Sequence, residues 1–207
     1  MIDTIESKVV RDDLRMDAEV TYMQVPYFGG LTTRSLKMAV IYHMTPDIMF
    51  MENNYGQAGV CDIWSRAPIV HPFPCIVWIC GGGWTITDRF VYLPNLVPLA
   101  HRGFVIASVE YLGNNAARFP SQISELKAAI RYLRKNAEKY HIDPNRIGVM
   151  GESAGGYYTN MLAATGETRE FDCGDNLEFS SAVQAACCLY GPAECSIDEP
   201  CGIKYMH

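Results

Sequence analysis

The fold is decided by one stretch, Ile147-Gly148-Val149-Met150-Gly151-Glu152-Ser153-Ala154-Gly155-Gly156. Its first four residues form a short apolar run that predicts a strand buried on both faces, and the residues after Ser153 predict a helix to about Ala164. A sharp turn between such a strand and helix exposes the serine, and its tight backbone needs small residues at Gly151 and Gly155. The helix N-terminus also favours negative charge beside the serine. Ser153 is therefore the candidate nucleophile.

Further apolar runs lie on both sides of this turn in the sequence. Strands are predicted at residues 75–80 and 104–109 and within the last run, 182–190. Helices are predicted at about 91–101 and from Pro120-Ser121 onward, where Ile123, Leu126, Ile130, Leu133 and Ala137 recur at helical spacing. Alternation of strand and helix over residues 75–193 predicts an α/β fold, a mostly parallel sheet with helices on both faces.

The remaining sequence fits one domain, residues 1–207, with an antiparallel hairpin in residues 1–44. Strands predicted at 19–25 and 36–42 flank the Gly29-Gly30 turn. A polar connection then runs from about 45 to 73. Asp143-Pro144-Asn145 predicts a turn just before the decisive strand.

A run of glycines, Gly81-Gly82-Gly83-Trp84, ends the strand at residues 75–80. Consecutive glycines let backbone N–H groups converge on one oxygen, as an oxyanion hole requires. A purely geometric turn and a phosphate-binding loop are the alternatives. The sequence has neither the G-x-G-x-x-G pattern of dinucleotide-binding loops nor the Gly-Lys-Ser/Thr of P-loops here. Together with the serine turn, the position of the run in the order of strands favours the oxyanion hole.

Taken together, five blocks resemble the carboxylesterases related to hormone-sensitive lipase, and are similar to bacterial acetyl and feruloyl esterases of the carbohydrate type. The blocks are residues 80–84, 109–111, 119–120, 142–148 and 151–156, and the resemblance covers about 36–193. It implies an α/β-hydrolase fold with Ser153 as nucleophile. It also implies an oxyanion hole built from the N–H groups of Gly82, Gly83 and Ala154, with Gly81 close by. Glu152 fills a variable position, for which the resemblance implies a structural role in holding nearby loops.

The sequence departs from this family in two places. Cys80 stands where the family normally has a histidine before the glycines. In this fold the catalytic acid and histidine follow the serine, after further strands. The chain ends at His207, so we expect that the C-terminal strands, the acid and the base are not in this sequence. The other histidines (His43, His71, His101 and His141) are expected to have surface or capping roles, and Asp172, Asp175 and Asp198 lie in polar loops.

Composition and charge argue against several kinds of partner. A formal net charge of −6 and pI near 5.3 argue against a nucleic-acid partner. The N-terminus has no apolar core of a signal peptide, and no apolar run is long enough to span a bilayer. We therefore expect a cytoplasmic protein without a membrane partner. The 8 cysteines form no C-x-x-C pair and are read as reduced thiols, so no metal or cofactor is expected.

The resemblance implies hydrolysis of a small carboxylic ester through an acyl-enzyme on Ser153. Trp84 and Tyr111 either line an acyl or leaving-group pocket or belong to the core, and the sequence leaves both open. An inactive hydrolase fragment or a binding protein is the first alternative, since a serine without its base retains little activity. A peptidase or amidase is the second, because it would share the same turn. An uncovered sheet edge would favour a homo-oligomer.

Overall fold

The computed structural model describes residues 14–43 and 71–194. Within them are six strands and three helices, in the order β1 (Leu14–Tyr27), β2 (Thr32–His43), β3 (Phe73–Ile79), α1 (Leu93–Ala100), β4 (Val105–Val109), α2 (Ser121–Lys135), β5 (Ile142–Glu152), α3 (Ala154–Ala164) and β6 (Ala185–Leu189).

All six strands form one sheet in the order β1-β2-β4-β3-β5-β6. Strands β4, β3, β5 and β6 run parallel to one another, whereas β1 pairs with β2, and β2 with β4, in antiparallel fashion. The α/β fold with a mostly parallel sheet is therefore confirmed, and the predicted hairpin lies at one edge. Among the described residues β6 forms the other edge.

Helices cover both faces of the sheet, as predicted. Alternate side chains of β3 point to opposite faces, so Val77 and Ile79 pack with α2 and α3 while Trp78 packs with α1. The predicted apolar stripe of α2 is buried, including Leu126 and Ile130, which are fully excluded from solvent. Burial on both faces explains why the central strands read as continuous apolar runs.

A cluster of buried charges joins α2 to the chain that follows α3. The Lys127 ammonium donates to the Thr165 and Thr168 carbonyls, each at 2.8 Å. Asp172 lies 3.5 Å from the Lys127 Nζ and 3.1 Å from an Arg131 guanidinium nitrogen. Both cations are fully buried, so this carboxylate supplies the opposite charge that makes their burial tolerable.

Two local predictions need correction or lie outside the described residues. Asp143-Pro144-Asn145 was predicted as a turn before the strand, but it lies inside β5, where the pairing with β3 is irregular between Phe73 and Cys75. The Asn145 N–H donates to the Asp143 side chain at 2.9 Å, so the local turn chemistry persists within an interrupted strand. The predicted connection at 45–73 falls mostly outside the described residues.

The helices α1, α2 and α3 are too short or too polar to cross a membrane, and no other helix is described.

Candidate active site

The turn between β5 and α3 places Ser153 in a strained backbone conformation. Its φ and ψ are 52° and −119°, a region that a residue with a side chain rarely occupies. Contacts on either side hold it there. The Ser153 N–H donates to the Leu189 carbonyl of β6 at 3.0 Å, and the Ser153 carbonyl accepts from Tyr157 N–H at 3.1 Å. Surrounding structure must impose such a conformation, which is common at functional sites.

The two glycines flanking Ser153 are required by close backbone contacts. A Cβ added to Gly151 would lie 2.5 Å from the Gly155 carbonyl oxygen and 2.8 Å from that of Ile79. A Cβ added to Gly155 would lie 2.0 Å from the Ile79 oxygen. The start of α3 therefore sits directly against the end of β3, where the glycine loop (residues 81–86) begins. This contact explains the need for small residues on both sides of Ser153.

The glycine loop is a tight turn built from left-handed residues. Gly82, Gly83 and Trp84 have φ values of 133°, 58° and 59°. The N–H groups of Thr85 and Ile86 both donate to the Gly82 carbonyl at 3.1 Å. Only glycine fits at position 82, since a Cβ there would lie 2.2 Å from the Ile86 carbonyl oxygen.

The three predicted oxyanion donors belong to neighbouring segments. Gly82 and Gly83 follow β3, and Ala154 follows Ser153 at the start of α3, which packs against the end of β3. Within residues 14–43 and 71–194, no backbone carbonyl accepts a hydrogen bond from any of these three N–H groups. This arrangement is what an oxyanion hole requires, and the assignment stays a prediction.

Glu152 joins the serine turn to its surroundings. Its carboxylate accepts a hydrogen bond from the Gly81 N–H at 2.7 Å, which confirms the expectation that Glu152 holds nearby loops. Two tyrosines face the same carboxylate. Burial, followed by the charge and hydrogen bonding of Glu152, raises the pKa of Tyr92, and hydrogen bonding to Glu152 raises the pKa of Tyr190. The sequence analysis did not predict that either tyrosine contacts Glu152. The one available signal was the position of Tyr190 directly after β6, at the strand end next to the serine turn.

The residues around the glycine loop are buried. Trp84 and Tyr111 both lie in the hydrophobic core, with Trp84 4% exposed and Tyr111 not exposed. The Tyr111 hydroxyl donates to the Cys80 carbonyl at 3.0 Å. The sequence left open whether Trp84 and Tyr111 line a pocket or belong to the core, and their burial is that of core aromatics.

Cys80 stands where the family normally has a histidine. Burial raises the pKa of the Cys80 thiol to about 12, so this residue stays a neutral thiol.

All four described histidines lie at the opposite end of the sheet from Ser153. His141 precedes β5, and its carbonyl accepts from Phe73 N–H, at the start of β3. The His43 ring stacks on the Phe73 ring with centroids 4.0 Å apart. His71 comes shortly before β3, and His101 follows α1, near Gly103, whose position also faces Phe73. Ser153 follows the other end of these strands, and β3 alone spans about 20 Å.

The acidic residues after the serine are placed elsewhere or lie outside the described residues. Asp172 belongs to the buried charge cluster with Lys127 and Arg131, and it accepts a hydrogen bond from the Ser181 hydroxyl at 2.8 Å. Asp198 falls outside the described residues. The described part of the chain brings together no three potential metal ligands.

The sequence matches the BD-FAE family model over residues 61–202. The chain belongs to the BD-FAE family. The match covers both the glycine loop and the serine turn, and it confirms the predicted resemblance to α/β-hydrolase esterases.

Curated relatives carry names of esterases. The chain is similar to the probable carboxylic ester hydrolase LipM of Mycobacterium tuberculosis, at 31% identity over 79% of this chain and 39% of that protein. Esterase LipC of the same organism is 29% identical over 87% of this chain and 43% of that protein. Neutral cholesterol ester hydrolase 1 of Bos taurus is 36% identical over 53% of this chain and 27% of that protein. The chain thus spans about two-fifths of the length of LipM and LipC.

Solved structures show the same fold. A truncated carbohydrate esterase from gut microbiota superposes with a TM-score of 0.63 at 23% identity, covering 86% of this chain and 57% of that one. The apo form of Thermogutta terrifontis esterase 2 gives a TM-score of 0.58 at 21% identity, covering 81% and 53%. These similarities support the α/β-hydrolase architecture of the family.

Proposed function

We propose that this chain supplies the nucleophile and the oxyanion hole of a serine carboxylic-ester hydrolase. The observation that carries the proposal is the strained backbone of Ser153, held between β5 and α3 directly beside the glycine loop. Strain of this kind presents a side chain at the tip of a turn, where a substrate can reach it. The names of the curated relatives, all ester hydrolases or esterases among those given above, support the same chemistry.

The proposed reaction proceeds through an acyl-enzyme on Ser153. The Ser153 hydroxyl oxygen attacks the ester carbonyl carbon, and its proton passes to a base. The carbonyl oxygen becomes negative and accepts hydrogen bonds from the N–H groups of Gly82, Gly83 and Ala154. The alcohol then leaves with a proton, an acyl group stays on Ser153, and water releases it as a carboxylic acid.

The base and its acidic partner are proposed to come from outside the described residues. The placement of His43, His71, His101 and His141 at the far end of the sheet supports this proposal. A base must come within about 3 Å of the hydroxyl, directly or through one water, and a separation of about 20 Å argues against that role for these four histidines.

Two other functions are possible for the same fold, and the experiment described below distinguishes them from ester hydrolysis. A peptidase or amidase would use the same serine turn, and a binding protein would use the fold without chemistry. The substrate class we propose is a small carboxylic ester, because the named relatives are ester hydrolases. A matched pair of substrates, 4-nitrophenyl acetate and 4-nitroacetanilide, offers the same acyl group as an ester and as an amide.

The test is labelling of the whole native polypeptide with a fluorophosphonate, which reacts only with an activated serine. We expect labelling that disappears in Ser153→Ala and persists in Ser180→Ala, a control at an exposed serine in the loop after α3. Hydrolysis of the ester well above that of the anilide is expected in the same samples. Labelling that survives Ser153→Ala would contradict the nucleophile assignment, and a folded, unlabelled protein would favour the binding alternative.

A further inference from the structure

The glycine loop rests on a second loop, the β4–α2 loop, which we define as residues 110–120. The Asn114 N–H donates to the Trp84 carbonyl at 2.7 Å, and the Tyr111 hydroxyl donates to the Cys80 carbonyl at 3.0 Å. A Cβ added to Gly113 would lie 2.9 Å from the Thr85 carbonyl oxygen. The β4–α2 loop therefore contacts the glycine loop through the backbone of Gly113 and Asn114, and the Tyr111 side chain holds Cys80, the residue before that loop.

Two polar side chains of α2 hold the β4–α2 loop in turn. One Glu125 carboxylate oxygen accepts a hydrogen bond from the Leu112 N–H at 2.8 Å. The Gln122 amide nitrogen donates to the Asn114 side-chain oxygen at 3.2 Å and to the Ala117 carbonyl at 2.9 Å. Residues spaced by three on a helix share one face, so both side chains reach the same loop.

Gln122 and Glu125 are polar side chains in the buried part of α2. Gln122 is not exposed and Glu125 is 2% exposed, on the helix face that also buries Ile123 and Leu126. Burying an amide and a carboxylate costs free energy that their hydrogen bonds only partly offset. For Gln122 the offset is incomplete, because its side-chain oxygen is buried and has no partner among the described residues. A role beyond packing would account for polar residues at both positions.

We propose that Gln122 and Glu125 are positioning residues for the oxyanion hole, which act by fixing the β4–α2 loop and, through it, the N–H groups of the glycine loop. The inference rests on the proposed function of Gly82 and Gly83. Neither side chain touches a substrate in this scheme. Their effect is to keep two backbone donors oriented before the reaction begins, which is what makes such donors effective.

The titration of Glu125 gives this role a signature that packing alone lacks. Burial raises the pKa of Glu125 to about 7, against the opposing effects of the Leu112 N–H and of the Arg34 charge on β2. Tyr22 on β1 and Tyr111 in the β4–α2 loop also face this carboxylate, and both are neutral because burial raises their pKa values. Near neutral pH the hydrogen bond to Leu112 therefore changes between a charged and a neutral acceptor.

The first experiment is native-state hydrogen exchange of the whole native polypeptide, followed in peptides that cover residues 80–86. We compare the wild type with Glu125→Leu, which removes the acceptor, and with Gln122→Met, which removes the amide at similar volume. Both variants should speed exchange in the glycine loop by about tenfold. Glu125→Gln, which keeps an oxygen acceptor, should restore most of the protection and lose the change in exchange near pH 7.

The matched control is Lys127→Met, on the same helix. Lys127 is equally buried, but it donates to the Thr165 and Thr168 carbonyls instead of the β4–α2 loop. Its loss destabilises the protein without touching the proposed connection, so exchange at residues 80–86 should stay within twofold of the wild type. Equal acceleration in Lys127→Met, or wild-type exchange in both Glu125→Leu and Gln122→Met, would overturn the proposal.

Kinetics supply the second readout. Loosened oxyanion donors weaken transition-state binding, so kcat for ester hydrolysis should fall about 10- to 100-fold in Glu125→Leu with KM little changed. If the wild type hydrolyses no ester, the proposed function fails, yet the exchange comparison still decides whether α2 fixes the glycine loop. If exchange rises while kcat stays at the wild-type value, the link to the oxyanion hole is refuted.

Discussion

Replacing Gly155 with alanine should reverse the usual effect of that substitution. In a helix, alanine in place of glycine normally stabilises a protein by about 0.5 to 1 kcal/mol. Gly155 lies in the first turn of α3, and its φ is not in the left-handed region, so its backbone conformation would accept alanine. The obstacle is the contact with β3. The new Cβ would lie 2.0 Å from the Ile79 carbonyl oxygen and 2.7 Å from the Ile79 carbonyl carbon.

The size of the effect follows from these distances. A carbon atom rarely approaches an oxygen closer than 3.0 Å without displacement. Both atoms at Ile79 belong to the backbone of a central strand, so α3 must move away from β3 by about 1 Å. Overpacking of this kind costs about 1 to 3 kcal/mol. A misplacement of about 1 Å between Ser153 and the glycine loop should also lower reactivity about 100-fold.

The assay combines urea unfolding with the rate of fluorophosphonate labelling of the native polypeptide. Gly166→Ala is the matched control, because its new Cβ would come no closer than 3.3 Å to any neighbour, the Leu162 carbonyl oxygen. We expect Gly155→Ala to lose both stability and labelling rate while Gly166→Ala retains them. A Gly155→Ala protein that is more stable than the wild type and labels at the same rate would refute the reasoning about the serine turn.

Three further predictions concern buried polar groups. Glu152→Ala removes the acceptor of the Gly81 N–H and should destabilise the protein by about 1 to 3 kcal/mol, with Glu152→Gln less affected; urea midpoints test the order of the two variants. The pKa of Glu125 rises from 4.5 to about 7 on folding, so its contribution to stability is greatest below pH 4.5 and is lost as pH rises through 7. That contribution, about 3 kcal/mol, should vanish from the pH profile of unfolding in Glu125→Gln, and superimposable profiles would contradict it. Asp172→Ala removes the carboxylate that the two buried cations share. We expect a loss of about 3 to 5 kcal/mol by urea unfolding, and a loss under 1 kcal/mol would contradict the assigned role.

Most of the fold was predictable because its central strands and helices repeat simple patterns. The buried runs at β3 and β4 and the apolar stripe of α2 follow from burial on one or two faces. The serine turn was predictable for a different reason, since Gly151 and Gly155 are required by contacts shorter than any side chain allows. Both signals are local in sequence, and local signals are the ones that a single sequence carries.

The polar connections of the site were not predictable from sequence patterns. Glu125 lies at a helical position that reads as an exposed acid, yet it is buried and binds Leu112, 13 residues earlier in the chain. Tyr92 and Tyr190 meet at Glu152 only because α1 begins at the side of the sheet where β6 ends. Such contacts depend on the packing of whole elements. The interrupted pairing of β5 at Asp143 was missed because turn-forming residues do not distinguish a loop from a break inside a strand.

The hydrogen bond from Ser153 to Leu189 has a consequence for how the protein matures during synthesis. The acceptor of this bond lies on β6, which pairs with β5, and Gly191 packs against Gly156 so tightly that neither position has room for a Cβ. A growing chain that has extruded Ser153 but not residues 185–191 still lacks the clamp that imposes the strained backbone. We therefore expect the strained backbone of Ser153 to form only after nearly forty further residues have emerged, and a nascent polypeptide that stops before β6 to hold this serine in a relaxed backbone conformation.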